Sequence, residues 1–446
     1  MTDTDAPSRG VARPPATDRR LQNNDREAEG SAELVSPADT AARGHASNPA
    51  TGAGEPGSRW RSWVLKDIGV PLGLHVATRI FQLWLLALMV PAEGGRFIDR
   101  LLIWDADWFI RIAEEGYEPG FSYDDSGALT GNGLAFLPLY PLSVRVVSAL
   151  PGVSTHWAAL SVAWVAAAVA AVLLAHLGTR LYSRRVGYFL VVLFSAQPMS
   201  IVLSMGYSEG LFCALALGTL LAVHRQAWLI AGACGFLAAL TRPTGFALAG
   251  ALVVAVAWYL WRGPTWAMET STTEQPAAPL PVWRPVLAAL IALAGAPLYW
   301  LWVGARTGRW DGWFLIQEVG WGTKWDFGAS TREFIVSTLA TGTDWVPVST
   351  AMILLAAAVL VLIGLLQRVW LPLACYGLFA FILAVGSAGY YHSRPRMLVP
   401  VLVLLIPVAV ALARTKPRIA IPIAIALTAA GCWYGAYMIT VWPFTI

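Results

Sequence analysis

The sequence is poor in charge and in cysteine, and each shortage excludes a class of protein. Only 13% of its 446 residues are charged, whereas 57% are hydrophobic and the mean hydropathy is +0.58. Soluble globular domains carry about 25% charged residues. The composition therefore excludes an ordinary soluble domain and indicates a protein that lies within a membrane.

The four cysteines lie inside apolar runs and lack the spacing of metal ligands. This pattern excludes a disulfide framework and a cysteine zinc site, and it predicts thiols packed among apolar side chains. Lysine is nearly absent whereas arginine is plentiful. That bias indicates a GC-rich bacterial genome.

Apolar runs recur from about residue 69 to the C-terminus, most of them on the order of the 17–22 residues that a helix needs to cross a bilayer. We therefore predict an all-α polytopic membrane protein with about eleven transmembrane helices. The predicted spans lie near 69–91, 157–178, 186–203, 208–223, 227–240, 244–261, 286–304, 349–366, 370–386, 397–413 and 418–440.

The N-terminal residues have a different composition. Residues 1–58 are rich in Ala, Gly, Pro, Ser and Thr, and they have little apolar surface to bury. We predict that residues 1–68 form a disordered cytoplasmic tail and that residues 69–446 form one multi-span domain. The first apolar run is long enough to span the bilayer, so a cleaved signal peptide is not expected.

The charges of the loops predict the orientation. If the tail is cytoplasmic, the cytoplasmic loops between spans carry ten basic and two acidic residues, and the opposite loops carry eleven basic and fifteen acidic ones. The positive-inside rule favours this arrangement. It places loop 92–156, the Trp-rich loop 306–348 and the remaining polar clusters on the extracytoplasmic face.

The stretch WDADW at 104–108 contains two carboxylates with different predicted environments. On a helical wheel, Asp107 faces solvent four residues before Arg111, as a salt-bridge partner would. Asp105 falls on the apolar face between Trp104 and Trp108, where an ionised carboxylate is unfavourable unless a charged or hydrogen-bonding group meets it. Asp105 is therefore a candidate functional residue.

Two alternatives remain open for these carboxylates. If the helix begins near residue 106, Asp105 only caps its N-terminus. An Asp-x-Asp pair can also bind a divalent metal, with Asp107 as the second acid. The spacing is common by chance, so we favour a site without metal or other cofactor.

Four stretches together resemble the PIG-V type of GPI mannosyltransferase. They are WDADWFIRIAEEGYEPG, AFLPLYPL, PMSIVLSMGYSEGLF and ALTRPTGFAL, in that order. The matching motifs are Trp104-Asp105, Gly116-Tyr117, Phe136 to Pro141, Tyr207-Ser208-Glu209 and Arg242 to Gly245. The resemblance covers about residues 70–250 and continues more loosely through 313–322 and 396–400. It departs from the family pattern at Pro243-Thr244, where Ser-Asn is expected, which bears on the acceptor.

The resemblance implies a GT-C glycosyltransferase fold and an inverting transfer from a polyprenyl-phosphate sugar, with mannose as the expected sugar. A bacterial branch of the family would act on a lipid-linked or cell-envelope glycan at the plasma membrane. By the same resemblance, Asp105 in the first outer loop is the general base that takes the proton of the acceptor hydroxyl. The leaving phosphate then needs positive charge from the protein.

Arginines near the predicted span ends are the candidates for that charge. Arg242 precedes a predicted helix, and Arg396 lies in YYHSRPR beside Arg394 and His392. A guanidinium near a helix N-terminus suits a phosphate. The alternatives are an interfacial arginine that extends to the headgroups and a contact with anionic lipid.

Aromatic and polar side chains in the same motifs and loops are candidates for binding the sugar or the acceptor. An aromatic belt at the bilayer interface explains the tryptophans equally well. Glu209 could instead pair with one of the arginines. The candidates are Trp104, Trp108, Tyr117, Tyr207, Glu209, Gln317 and Trp321.

Two other functions remain possible. A transporter or flippase for a lipid-linked glycan would place ionisable residues near the bilayer midplane. The predicted spans hold few, chiefly His75 and Arg79, and the charges gather at one interface, which favours catalysis. A non-catalytic scaffold in glycan assembly is the third reading. The expected partners are the lipid donor, a lipid or glycan acceptor and membrane lipids; a nucleic acid is not expected.

Overall fold

The computed structural model describes residues 64–90, 96–263 and 281–445. The described residues form sixteen α-helices and one two-stranded hairpin, so the predicted all-α class is confirmed. Residues 1–63 of the predicted tail lie outside the described residues. Residues 64–68, which we assigned to the tail, are described, and Leu65–Gly69 forms a π-helical turn that continues into the first α-helix.

The chain alternates long apolar helices with short interfacial ones. The helices are α1 (Val70–Met89), α2 (Asp105–Glu115), α3 (Leu139–Ser148), α4 (Thr155–Leu181), α5 (Arg184–Ala196), α6 (Glu209–His224), α7 (Trp228–Ala239), α8 (Gly245–Arg262), α9 (Trp283–Thr307), α10 (Gly312–Trp321), α11 (Ala329–Thr341), α12 (Trp345–Leu366), α13 (Leu371–Val385), α14 (Arg394–Met397), α15 (Leu405–Arg414) and α16 (Pro417–Thr440). Short 3₁₀ turns occupy Phe97–Leu101, Gly133–Ala135, Ser200–Leu203, Tyr391–Ser393 and Leu402–Leu404.

Within the described residues, six helical segments are long and apolar enough to cross a membrane, and there is a seventh if α14 and α15 form one broken span. That pair is bent by 78°. Three shorter apolar helices are α6, α7 and α13. Every predicted span overlaps a helix, but the count of eleven is not confirmed. The helix in the predicted span 186–203 is shorter than expected, because α5 ends at Ala196, just before Pro198.

Small residues allow the long helices to pack closely. Most of the buried residues of α4 are alanine, and this helix contacts α5 and α6. Helix α7 likewise packs against α9 through glycine and alanine. Lipid tails are as apolar as the helix surfaces, so the hydrophobic effect does not drive helices together within a membrane. Close packing of this kind is a main source of helix association there.

The first predicted outer loop, 92–156, packs onto this bundle. Helices α2 and α3 contact each other and α4 through the apolar residues Phe109, Tyr140 and Ala159. Between them, β1 (Ser122–Tyr123) pairs antiparallel with β2 (Leu129–Thr130), Ser122 opposite Thr130. Helices α10 and α11 lie in the second predicted outer loop, 306–348.

Candidate active site

Two carboxylates and two guanidiniums meet in one buried cluster. Arg396 Nη2 lies 2.7 Å from Asp105 Oδ2, and Arg396 Nε lies 3.4 Å from Glu209 Oε1. Arg242 Nη1 lies 2.8 Å from the same Glu209 oxygen. The exposed fractions of the side chains are 0% for Glu209, 10% for Arg396, 12% for Arg242 and 17% for Asp105. We call these four residues the charged cluster.

Each member of the charged cluster lies where a helix begins or the chain turns between helices. Asp105 is the first residue of α2, Glu209 is the first residue of α6, and Arg242 lies in the turn between α7 and α8. Arg396 lies in α14, the short helix before the break. Residues up to 291 positions apart are thus brought together by the arrangement of helix ends. The carboxylates and guanidiniums neutralise one another, which permits their burial.

Trp104 sets the direction in which α2 starts. Its φ of 60° lies in the left-handed region, which is unusual for a residue with a bulky side chain. Trp104 occupies the N-cap position, so Asp105 is not the cap that the alternative reading proposed. The backbone N–H of Asp105 points to the Tyr207 hydroxyl at 3.4 Å, and its side chain turns to Arg396. Such strained conformations are frequent at functional sites.

The segment that ends in Glu209 approaches α2 closely at Gly206. A Cβ on Gly206 would lie 3.2 Å from Leu102 and 3.3 Å from Ala106. The Gly206 N–H donates to the Leu101 carbonyl at 2.9 Å, which ties the two motifs together. A side chain at Gly206 would therefore be crowded by this close approach.

Tyr207 lies close to the Asp105 and Glu209 carboxylates and to the Arg396 guanidinium. Its ring is buried, with the Arg396 guanidinium carbon 5.1 Å from the ring centroid. Burial and, next, the negative charge of Asp105 raise the pKa of Tyr207 well above its usual value. The hydroxyl thus stays protonated and can donate a hydrogen bond.

A tight turn carries Arg242 to Glu209. The Gly245 N–H donates to the Arg242 carbonyl at 2.9 Å, and a Cβ on Gly245 would lie 2.3 Å from the Ala239 backbone. The turn leaves Arg242 Nη1 within 3.1 Å of Ser208 Oγ as well as near Glu209. Close packing therefore explains the glycine of the Arg-x-x-Gly pattern, and the arginine supplies a charge that pairs with Glu209.

Asp107 behaves as the helical wheel predicted. It pairs with Arg111 at 3.0 Å, and the two side chains are 65% and 47% exposed. The Arg111 guanidinium also lies 4.9 Å from the centroid of the Trp108 ring. Across 64–90, 96–263 and 281–445, no group of three His, Cys, Asp or Glu residues is placed to hold a metal ion. The metal-free site stays a prediction.

Glu209 offers an acceptor that the protein itself does not use. Its Oε1 faces both arginines, whereas no hydrogen-bond donor of the described chain reaches its Oε2, which is buried. A buried carboxylate oxygen without a donor is unfavourable. A ligand hydroxyl would satisfy it.

Two of the predicted aromatic candidates, Trp108 and Trp321, form a second cluster with Phe136. Trp108 stacks on Phe136 at 5.8 Å and meets the edge of Trp321 at 5.9 Å. The Gln317 side chain donates to the Ala135 carbonyl at 2.8 Å. Helix α10 of the second loop thus packs on the first loop, as the two loops were predicted to face the same side.

Tyr117 is committed to the protein rather than open to a ligand. Its hydroxyl donates to the Phe136 carbonyl at 2.9 Å, and its ring lies against Tyr299 and Trp302. Burial raises the pKa of Tyr117. The structure places it as a support of the Phe136 segment.

The structure separates Arg394 and His392 from Arg396, although the sequence grouped them. The Arg394 guanidinium is buried and donates to the carbonyl oxygens of Ala384 and Ser387 and to the Ser387 hydroxyl. His392 lies among the rings of Tyr390, Trp442 and Phe444. Only Arg242 and Arg396 of the predicted phosphate group join the charged cluster.

Arg79 supports the site from within the first span, a role that the sequence reading missed. Its Nη1 donates to the Ser200 carbonyl and to Gln82 Oε1, both at 2.7 Å. His75 lies 2.8 Å from Ser195 in the same region. Arg79 thus anchors the 3₁₀ turn at Ser200–Leu203, which leads into Tyr207 and Glu209. The available signal was an arginine at the centre of an apolar run.

Comparison with solved structures finds distant similarity. The chain resembles ArnT of Cupriavidus metallidurans bound to undecaprenyl phosphate, at 15% identity and a TM-score of 0.47, over 83% of this chain and 64% of that one. It resembles the oligosaccharyltransferase AglB of Archaeoglobus fulgidus, in complex with an inhibitory peptide and a dolichol-phosphate, at 14% identity and a TM-score of 0.41. That match covers 82% of this chain and 55% of AglB. The chain thus spans less than two thirds of the length of either protein.

Comparison by sequence finds a match to one family over part of the chain. No curated protein matches the chain. Residues 86–257 match the family described as Mannosyltransferase (PIG-V). This segment contains Asp105, Glu209 and Arg242, three members of the charged cluster. Over residues 86–257 the chain is similar to the Mannosyltransferase (PIG-V) family, which confirms for this segment the resemblance inferred from its motifs.

Proposed function

We propose that this chain is an integral membrane glycosyltransferase of the GT-C type that transfers a sugar from a polyprenyl-phosphate donor. The similarity to the family indicates mannose as the sugar. The acceptor is a lipid-linked or cell-envelope glycan. The observation that carries the proposal is the charged cluster, which unites Asp105, Glu209 and Arg242 of the family motifs with Arg396. A protein that only transports or organises glycans has no evident need for this arrangement.

The cluster can supply the groups that an inverting transfer requires. The acceptor oxygen attacks the anomeric carbon while the bond from that carbon to the phosphate oxygen breaks, and the electron pair leaves with the phosphate. The Asp105 carboxylate takes the acceptor proton. Arg396 and Arg242 stabilise the negative charge that grows on the phosphate.

Before transfer, the arginines are held by carboxylates instead of phosphate. The three ion pairs keep the guanidiniums oriented in the absence of donor. A phosphate that enters between Arg396 and Asp105 would release the carboxylate toward the acceptor. Glu209 would keep both arginines in place and offer its Oε2 to a sugar hydroxyl.

The direct test is transfer by the purified full chain in lipid. Radiolabelled polyprenyl-phosphate mannose and a panel of acceptor glycolipids should give a labelled product, with polyprenyl phosphate released. The corresponding nucleotide sugar should give none. Transport of intact donor across proteoliposomes without any transfer would overturn the proposal in favour of a flippase.

We expect the charged cluster to face the extracytoplasmic side of a bacterial plasma membrane. Cysteines introduced at Ala128 and Ala340, in the loops predicted outside, should react with an impermeant thiol reagent in intact cells. A cysteine introduced at Gln367, an exposed residue next to a basic loop residue, should react only after permeabilisation. The reverse pattern would place the site in the cytoplasm.

A further inference from the structure

A separate cavity of about 350 Å³ lies next to the chain's C-terminal segment. Its wall is largely aromatic, and neither Asp105 nor Arg396 lines it. The main lining residues are Phe334, Tyr390, Tyr391, His392, Trp442 and Phe444. His392 precedes Arg396 by four residues in one continuous helical segment, a rise of about 6 Å along the axis. A lining residue of the cavity and a member of the charged cluster therefore belong to the same short segment.

The aromatic lining consists of two groups of rings in contact. In one group, His392 lies 5.7 Å from Trp442 and 6.3 Å from Phe444, and Trp442 lies 5.0 Å from Phe444. In the other group, Tyr391 stacks on Phe334 at 4.6 Å with an angle of 8° between the planes. Flat aromatic faces suit the apolar C–H face of a sugar ring as well as hydrocarbon.

Two buried polar atoms of the lining side chains bear on the choice between these ligands. His392 Nε2 and Trp442 Nε1 are both buried, and neither has a hydrogen-bond partner within the described part of the chain. The backbone of Thr445 interacts with the imidazole of His392, and Nε2 is the ring atom without a partner. Buried polar atoms are normally paired. An isoprenoid chain cannot pair them, whereas sugar hydroxyls both donate and accept.

Charge and size narrow the ligand further. The lining contains neither lysine nor arginine nor a carboxylate, so it does not suit a phosphate. Small-molecule sites usually measure about 300–1,000 Å³, and 350 Å³ lies at the lower end. The cavity thus fits a neutral mono- or disaccharide unit.

We propose that this aromatic cavity binds a neutral glycosyl unit of the acceptor, with His392 and Trp442 hydrogen-bonding to its hydroxyl groups. The proposal rests on the proposed function, because a glycan acceptor is what a glycosyltransferase needs beside its donor. It assigns His392 to acceptor binding, whereas the sequence analysis assigned it to the donor phosphate.

The test uses the full chain in lipid nanodiscs with methyl α-mannopyranoside and methyl β-glucopyranoside as probes, detected by saturation-transfer NMR. Trp442→Phe and His392→Phe keep an aromatic ring and remove the polar atom. Each should weaken glycoside binding by roughly 3- to 10-fold, the effect of one lost hydrogen bond. Trp310→Phe, at an exposed tryptophan outside the cavity, is the matched control and should bind normally.

Kinetics provide the second readout. Both cavity variants should raise the KM for the acceptor and leave the KM for the donor unchanged. Binding of farnesol in place of the glycosides, or glycoside binding that neither variant weakens, would overturn the inference. Asp105→Asn should still bind glycoside. If wild-type protein transfers sugar but the variants bind and react normally, only this inference fails; if glycosides bind here but no transfer occurs, the proposed function fails.

Discussion

Asp105→Asn should reduce sugar transfer by about 10²- to 10⁴-fold, the usual contribution of a positioned general base. Asparagine has nearly the same shape but cannot take the proton of the acceptor hydroxyl. The measurement is the initial rate with a polyprenyl-phosphate sugar and a saturating acceptor. The elution profile in detergent and the thermal midpoint should confirm that the variant is folded.

The matched control is Asp107→Asn, two residues away on the exposed face of α2. The pair that Asp107 makes with Arg111 is solvent-exposed, and such pairs contribute about 0–1 kcal/mol. We expect Asp107→Asn to keep most of the activity and both wild-type and control activity to persist in EDTA. Equal loss in the two variants, with inhibition by EDTA and rescue by Mn²⁺, would contradict the assignment of a base and indicate a metal held by the pair. Full activity of Asp105→Asn would contradict it as well.

Arg396→Gln should lower kcat/KM for the donor by roughly 10- to 100-fold, because a charge-assisted hydrogen bond contributes about 1.5–3 kcal/mol. The measurement is donor dependence at fixed acceptor. Arg396→Lys should recover part of the loss, since it keeps the charge but not the fork of donors. Arg242→Gln should act in the same direction through the other guanidinium.

Two controls separate catalysis from folding. Arg309→Gln removes one positive charge from an exposed pair with Asp311 and should leave donor kinetics unchanged. The double variant Arg396→Gln, Glu209→Gln restores the charge balance of the buried cluster, so its thermal midpoint should lie above that of Arg396→Gln. It should not recover donor efficiency. A folded Arg396→Gln protein with wild-type donor kcat/KM would refute the phosphate role.

Local pattern was sufficient to predict the different environments of Asp105 and Asp107 in α2. The wheel separated Asp105 from Asp107 because i,i+4 spacing and apolar neighbours depend only on sequence once a helix forms. It did not locate the helix start. Residues 97–101 form a 3₁₀ turn, and Trp104 adopts a positive φ, which depends on how the preceding loop packs.

The motifs also predicted which residues belong to the charged cluster better than they predicted how those residues pair. Asp105, Glu209, Arg242 and Arg396 were all candidates, and a pair between Glu209 and an arginine was one of the alternatives. The sequence did not predict that Glu209 would meet both arginines or that Asp105 would pair with Arg396. Arg394 and Arg396 are two residues apart in one segment, yet they point to different partners. Arg394 donates to the nearby carbonyl oxygens of Ala384 and Ser387, whereas Arg396 pairs with distant carboxylates such as that of Asp105.

The sequence by itself determined the class of the protein, since long apolar runs with few charges cannot remain in water and must form helices in a bilayer. It also determined which side chains are polar at the helix ends. Only the tertiary structure decided which helix ends meet, because close packing at Gly206, Gly245 and the alanine face of α4 sets the approach of segments that are hundreds of residues apart. Burial of two acids becomes possible only where that packing brings two arginines to them. The charged cluster and the aromatic cavity are both results of that packing.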